Sequence, residues 1–393
     1  MKALLLRVCS GGAALVVAAL IWLPCLHFFY RSAAVNFRTA GVSPEAKALT
    51  ARHLHLWADA DARTEELVRL RRSDAEWDFM GRSFFVWSLA NIGLRDPASA
   101  PECLKVMDQI IGQTLKLERE QGLYFFLMPY AKARPFNLEP PRSLFLDSEI
   151  ALMLASRRLL QESPEYGPLL RDRVDLMVSR MEQSPLLSAE SYPDEYWVFD
   201  NVAALAAMRL ADRLDGTDHS ALCRRWVAVA REKLIDKETG LLVPRFARDG
   251  TPLDSPRSSS LWFIAHCLQL IDPGFAREQY DKAKKEFARE LCGFGYATEY
   301  PRSVPDQSDI DSGAVIPGLR VSAGGSGLAL LGAASFGDED YLRALARTLH
   351  FAAFPSYRKG ALKYCASNQA GDAAILYAAV VGPVWEKARE APK

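Results

Sequence analysis

Six apolar helical segments recur along the chain, and they constrain its fold more than any other feature. They read GRSFFVWSLANIGL from Gly81, FLDSEIALMLASRRLL from Phe145, FDNVAALAAMRLADRL from Phe199, SSSLWFIAHCLQLI from Ser258, SAGGSGLALLGAAS from Ser322 and NQAGDAAILYAAVV from Asn368. Their spacing, roughly 50–65 residues, is long enough for a helical hairpin with its loops. Between them lie more polar helices such as LCRRWVAVAREKLI and FAREQYDKAKKEFAREL, whose charges fall on one side as on a solvated outer face. An apolar, small-residue helix alternating six times with an amphipathic one predicts an all-α fold, an (α/α)6 toroid or barrel with a buried inner ring and a wet outer ring. No region reads as rich in strands. In such a toroid the N-terminal ends of the inner helices converge on one pocket.

The N-terminus adds a separate element. Gly11 to Tyr30 carries no charge, and a helix of about 20 such residues crosses a bilayer. Lys2 and Arg7 precede it, which predicts an uncleaved transmembrane anchor with the globular part outside the cytoplasm, periplasmic or extracellular. Ser32-Ala33-Ala34 is the alternative, a cleavage site for a signal peptide. Residues 1–40 are therefore expected to form the anchor and juxtamembrane segment, and 45–385 one catalytic-type domain. Lys plus Arg and Asp plus Glu both number 48, without a basic stripe, so nucleic acid is not an expected partner. The seven cysteines show no CxxC spacing, and neither a metal nor another cofactor is expected. One bridge, Cys267 to Cys292, stays open.

The chemistry is expected at the starts of the apolar helices. ESYPDEYWVFDN, residues 190–201, crowds carboxylates and aromatics into a segment where a plain connector carries Gly, Pro, Asn and Ser. Collecting such starts gives Asp147 and Glu149, Asp194, Glu195 and Asp200, Arg257, and Asp306, Asp309 and Asp311. Paired carboxylates in unlike environments divide acid and base work. Glu149 lies inside an apolar run, where an unpaired charge is costly, so it is the candidate general acid. Asp200 is the candidate base and Asp311 the alternate base. Asp147, Asp200 and Ser260 equally suit helix capping. Tyr192, Tyr196, Trp197, Trp262, Tyr296 and Tyr300 suit a substrate platform or plain packing, Glu299 and Arg302 the same mouth, and His266 the core. DQSDIDSG lacks the terminal Glu of a calcium-binding EF-hand, and SAGGSGLALLG does not fit GxGxxG.

YPDEYWVFDNVAALAAMRLADRLDGTDH, followed by KLIDKETGLL and IDPGFAREQYDKAKKEF, resembles the linalool dehydratase/isomerase family, with a weaker likeness from about Arg142 to ALKYCASNQAGDAAILYAAV. The resemblance implies an (α/α)6 barrel, a dehydratase/isomerase ancestry and compatibility with a homo-oligomer. It also implies exchanges at the reacting positions. Ser191 and Asp200 stand where the family has cysteines, and Phe145 and Glu149 where it has methionine and histidine. Asp194, Tyr196, Asn201, Tyr364 and Asp372 keep the family's residue types. Three functions are expected in this order: acid–base chemistry on a glycan-like or polyol substrate, a hydro-lyase or isomerase acting on an alcohol, and a helical scaffold of the cell envelope. Ser191, Tyr192, Asp194, Tyr196, Trp197, Asn201, Arg257, Trp262, Asp309, Asp147 and Tyr364 are the expected substrate-binding residues around Glu149, Asp200 and Asp311.

Overall fold

A computed structural model describes residues 2–29, 37, 40–304, 313, 315–316, 318 and 320–390. The chain is mostly helical. Helix α1 spans Lys2–Phe29, and its Leu4–Leu23 segment is long and apolar enough for a membrane anchor or a signal sequence, with none of it buried against the rest of the protein. There follow α2 (Pro44–Ala58), α3 (Ala60–Ser73), α4 (Ala75–Arg95), α5 (Ala100–Gln121), α6 (Leu144–Leu160), α7 (Tyr166–Glu182), α8 (Val198–Asp215) and α9 (Ser220–Lys233). The series ends with α10 (Ser258–Leu268), α11 (Pro273–Phe287), α12 (Ala323–Phe336), α13 (Glu339–Ala352), α14 (Gln369–Val380) and α15 (Pro383–Arg389).

The six apolar segments are α4, α6, α8, α10, α12 and α14. Each packs against the next, and α14 packs back against α4, so the contacts close into a ring. Small residues make this approach close. On α8, Ala203, Ala204, Ala206 and Ala207 are all fully buried between α6 and α10. On α12, Gly332 lies flat against Trp262, where a Cβ would overlap the indole. The intervening helices lean on the outside with one apolar stripe each. In α11 the buried Phe275, Gln279, Tyr280, Ala283 and Phe287 recur at helical spacing, while the charged residues between them face water. Asp272 starts that helix by accepting a hydrogen bond from the Phe275 N–H at 2.9 Å.

Short antiparallel ribbons, which the sequence did not announce, precede four of the ring helices. Strands β1 (Tyr196–Trp197) and β2 (Arg245–Phe246) pair ahead of α8 and α10. Strands β3 (Ala288–Leu291), β4 (Phe294–Thr298), β5 (Val315–Ile316) and β6 (Val321–Ser322) form a sheet in the order β3-β4-β6-β5 before α12. Strands β7 (Pro355–Arg358) and β8 (Ala361–Tyr364) form a hairpin before α14. At two to five residues each, they are too short for periodicity to reveal them.

Two expectations change. The first apolar helix begins at Ala75 rather than near Gly81, because Asp74 caps it through the Glu76 N–H at 2.8 Å. The Cys267–Cys292 bridge does not form: Cys267 is buried in α10 and Cys292 is exposed in the β3–β4 turn.

Candidate active site

The first two turns of three neighbouring ring helices bring three carboxyl groups together: Glu76 from α4, Glu149 from α6 and Asp200 from α8. Glu149 is fully buried, and neither of its oxygens has a hydrogen-bond partner. Burial is the main reason its carboxyl is pushed well above the usual range. The nearby Asp200 and Glu76 charges push the same way, against a smaller opposing pull from the Ser83 hydroxyl. Burial thus favours the protonated, neutral form of Glu149. Asp200 is 4% exposed. Its carboxyl is raised by burial to about 7, less a small pull from the adjacent Ser191 hydroxyl, which puts it at the edge of ionisation.

Below these groups the ring interior is aromatic. Phe199 stacks on Phe263 at 4.1 Å, Phe84 meets Phe263 at 5.9 Å and Tyr377 at 5.8 Å, and Trp87 stacks on Phe263 at 5.8 Å. Phe79 packs edge-on against Phe145 at 5.0 Å. Cys267 lies near both Glu149 and Tyr377, which ties the carboxyl layer to this aromatic floor.

The loop from Glu190 to Trp197 is held by its own polar groups. Glu190 accepts hydrogen bonds from the Asn137 N–H at 2.8 Å, the Asn137 side-chain amide at 2.9 Å and the Asp194 N–H at 2.8 Å. Asp194 takes a left-handed backbone with φ 58° and sits at the rim, near Arg134 at 3.9 Å and accepting from the Arg248 N–H at 3.3 Å. Asn201 clamps the loop to α8: its carbonyl accepts from the Ala189 N–H at 2.9 Å, and its amide donates to the Trp197 carbonyl at 2.8 Å. Tyr192 donates to Glu76 in a short hydrogen bond, accepts from the Met128 N–H at 2.9 Å, and stacks on Tyr130 at 4.8 Å. Glu195 accepts from Arg245 at 3.0 Å and from the Trp197 indole at 3.3 Å. Tyr196 stacks on Phe246 at 5.6 Å.

The remaining expected residues lie elsewhere. Asp147 is engaged by Arg142 and by Arg173 at 2.5 Å, on the side of α6 toward α7; it holds helices together. Trp262 is fully buried among Tyr280, Phe287 and Tyr341, facing the outer helices. Arg257 pairs with Asp254 and lies 5.6 Å over the Trp197 ring. Tyr364 donates to Glu45 of α2. Glu299 is buried and accepts from Ser259 and Ser322, each at 2.5 Å, pinning α10 to α12. Tyr300 is buried, and His266 sits in the core between the Tyr377 hydroxyl at 2.9 Å and the Ser335 hydroxyl at 2.8 Å. Asp306, Asp309 and Asp311 fall outside the described residues. Among the described residues, no group of three His, Cys, Asp or Glu is placed to hold a metal ion.

Glu76 is the residue that sequence reasoning missed. Its signal was the DAEWDF segment, a capping Asp followed by a first-turn acid, just ahead of the apolar run. The family model for linalool dehydratase/isomerase matches residues 171–370. That is just over half of the chain, and it includes Ser191, Tyr192, Asp200 and the ring helices α8, α10 and α12. The protein therefore belongs to the linalool dehydratase/isomerase family.

Proposed function

We propose that the closed ring of helices is an (α/α)6 toroid whose carboxyl cluster eliminates water from an alcohol and re-adds it, as a hydro-lyase and isomerase. The observation that carries this reading is Glu149, fully buried with both oxygens unpartnered, beside Asp200 and above an aromatic floor. A neutral carboxyl group in such a place is a proton donor looking for an acceptor. The hydroxyl of a bound alcohol supplies one.

In the proposed reaction Glu149 gives its proton to the hydroxyl oxygen as the C–O bond breaks and water leaves. Ionised Asp200 takes a proton from the neighbouring carbon as the C=C bond forms. Proton exchange between the two carboxyls resets the pair, and the reverse sequence adds water, at either end of an allylic system. The rings beneath stabilise the positive charge that develops on carbon, through their negative faces. Glu76, bound by Tyr192, adds negative charge to the same layer.

The family match favours this chemistry over a glycan hydrolase. So does the floor of Phe84, Phe199 and Phe263, since a glycan needs polar partners around its whole ring. The carboxylates that replace thiol and imidazole in this chain then serve the same proton transfers with different groups. The reading places the toroid outside the cytoplasm, tethered or led there by α1, which suits a substrate that partitions into lipid. The test is direct: the full chain in detergent micelles, incubated with linalool, other allylic alcohols and a set of glycans, with volatile products separated by gas chromatography. Formation of a hydrocarbon from an alcohol supports the reading, and hydrolysis of a glycan without it refutes the reading.

A further inference from the structure

Across α4 from Glu149 lies a second group of buried polar side chains that the proton transfers leave unused. Gln369, the first residue of α14, is fully buried, and neither its amide oxygen nor its amide nitrogen has a hydrogen bond. Asp372, three residues on and on the same helix face, is equally buried; one of its oxygens forms an ion pair with Arg52 Nε at 3.4 Å, and the Ser367 hydroxyl and Tyr364 backbone pull on the carboxyl without a well-formed hydrogen bond. His53 of α2 is fully buried, 4.7 Å from the Phe85 ring, with both ring nitrogens unpartnered. Buried polar atoms are normally paired, and each one left bare is costly. Five of them, leaving aside the Asp372 oxygen that Arg52 pairs, lie on three side chains of two helices and mark a place built for a partner.

The chemistry of that partner follows from the charges. Arg52 is matched by Asp372 and Glu66, and His53 is held neutral by burial with a further contribution from Arg52, against a smaller pull from the Asp372 backbone, so an anion finds no free counter-charge here and the imidazole carries none for a cation to oppose. The amide and the imidazole offer both donors and acceptors, which suits a neutral hydroxyl. The place and the carboxyl cluster flank the same helix, α4. Gln369 presses its amide against Gly81 of α4, where any Cβ would collide with it, and Ser83 of the same turn lies beside Glu149.

We infer that Gln369, Asp372 and His53 bind a second oxygen of the substrate, so that the alcohol processed at Glu149 is a diol rather than a simple alcohol. The inference rests on the proposed alcohol chemistry and deepens it. Gln369 and His53 are binding residues in this scheme, and the second hydroxyl stays on the product. A site made to hydrogen-bond a hydroxyl discriminates strongly against a ligand that lacks one.

The test uses the full chain in micelles with two probes, linalool and 8-hydroxylinalool, the same skeleton with a hydroxyl at the far end. Turnover is measured for wild type, Gln369→Leu, His53→Phe and Glu149→Gln. Binding of both probes to all four is measured by calorimetry, and folding by circular dichroism. The expected result is a kcat/KM at least tenfold higher for the diol in wild type, carried mainly by KM. Its ratio to linalool should collapse toward one in whichever of Gln369→Leu and His53→Phe is folded. Equal handling of the two alcohols by wild type, or an undiminished ratio in both variants, overturns the inference while a dead Glu149→Gln leaves the acid–base reading intact. Full turnover by Glu149→Gln overturns the acid–base reading, and the calorimetric preference for the diol and its loss in Gln369→Leu then decide the inference alone.

Discussion

Asp200→Asn gives the sharpest physical test of the carboxyl cluster, because it needs no substrate. An aspartate of ordinary value near 3.9 that is held at about 7 in the folded protein binds a proton more tightly folded than unfolded. Its raised value means that stability is highest at low pH and is lost as pH rises, starting at the unfolded value and levelling off above about 7. With roughly 1.36 kcal/mol per pH unit, the loss is about 1.5 kcal/mol at pH 5 and about 4 kcal/mol at pH 8. The amide does not titrate, so this loss disappears in Asp200→Asn. The variant should therefore gain on wild type by about 2–3 kcal/mol between pH 5 and pH 8. Guanidinium unfolding of the full chain in micelles, followed by the fluorescence of its eight tryptophans, reads this difference at each pH. A gap that stays constant from pH 5 to pH 8 would refute the claim that burial raises Asp200.

Other perturbations test separate parts of the account. Glu149→Gln removes the proton donor from a site where it has no partner, and should lower kcat by about 10²–10⁴ while the melting temperature stays or rises, measured by product formation and circular dichroism. Asn201→Ala breaks the clamp on Ala189 and Trp197, and should destabilise by about 2–4 kcal/mol in denaturant titrations. Gly332→Ala drives a Cβ into the Trp262 indole, and a cost of about 1–3 kcal/mol is expected from thermal unfolding.

Much of this arrangement was legible in the sequence, and the gaps have physical causes. The six apolar helices were visible because an inner ring buried on all sides must be apolar around its whole circumference. The same evenness hid which side faces the centre. Asp147 and Glu149 illustrate this: two residues apart on a helix they point about 200° apart, so only one can face the carboxyl cluster, and the structure gives that place to Glu149. Helical spacing alone excluded the pair. Trp262 and Phe263 divide in the same way, Phe263 toward the centre and Trp262 toward the outer helices. Glu76 escaped notice because its helix begins with a polar turn, before the apolar pattern that reveals helices. Gln369, Asp372 and His53 come together only when α2 packs on α14, a contact between residues more than three hundred positions apart that no local pattern encodes.

The measurement that tests the central claim most directly is the pH–rate profile for loss of water from an alcohol, recorded for wild type and Asp200→Asn. A base held at about 7 must be ionised and the acid Glu149 must be protonated, so the account predicts a bell whose lower limb lies near about 7 and whose upper limb is set by Glu149. Asp200→Asn should lose the lower limb together with most of the rate. A wild-type profile flat through neutrality, or a variant with the same profile and rate, would contradict the assignment of acid and base.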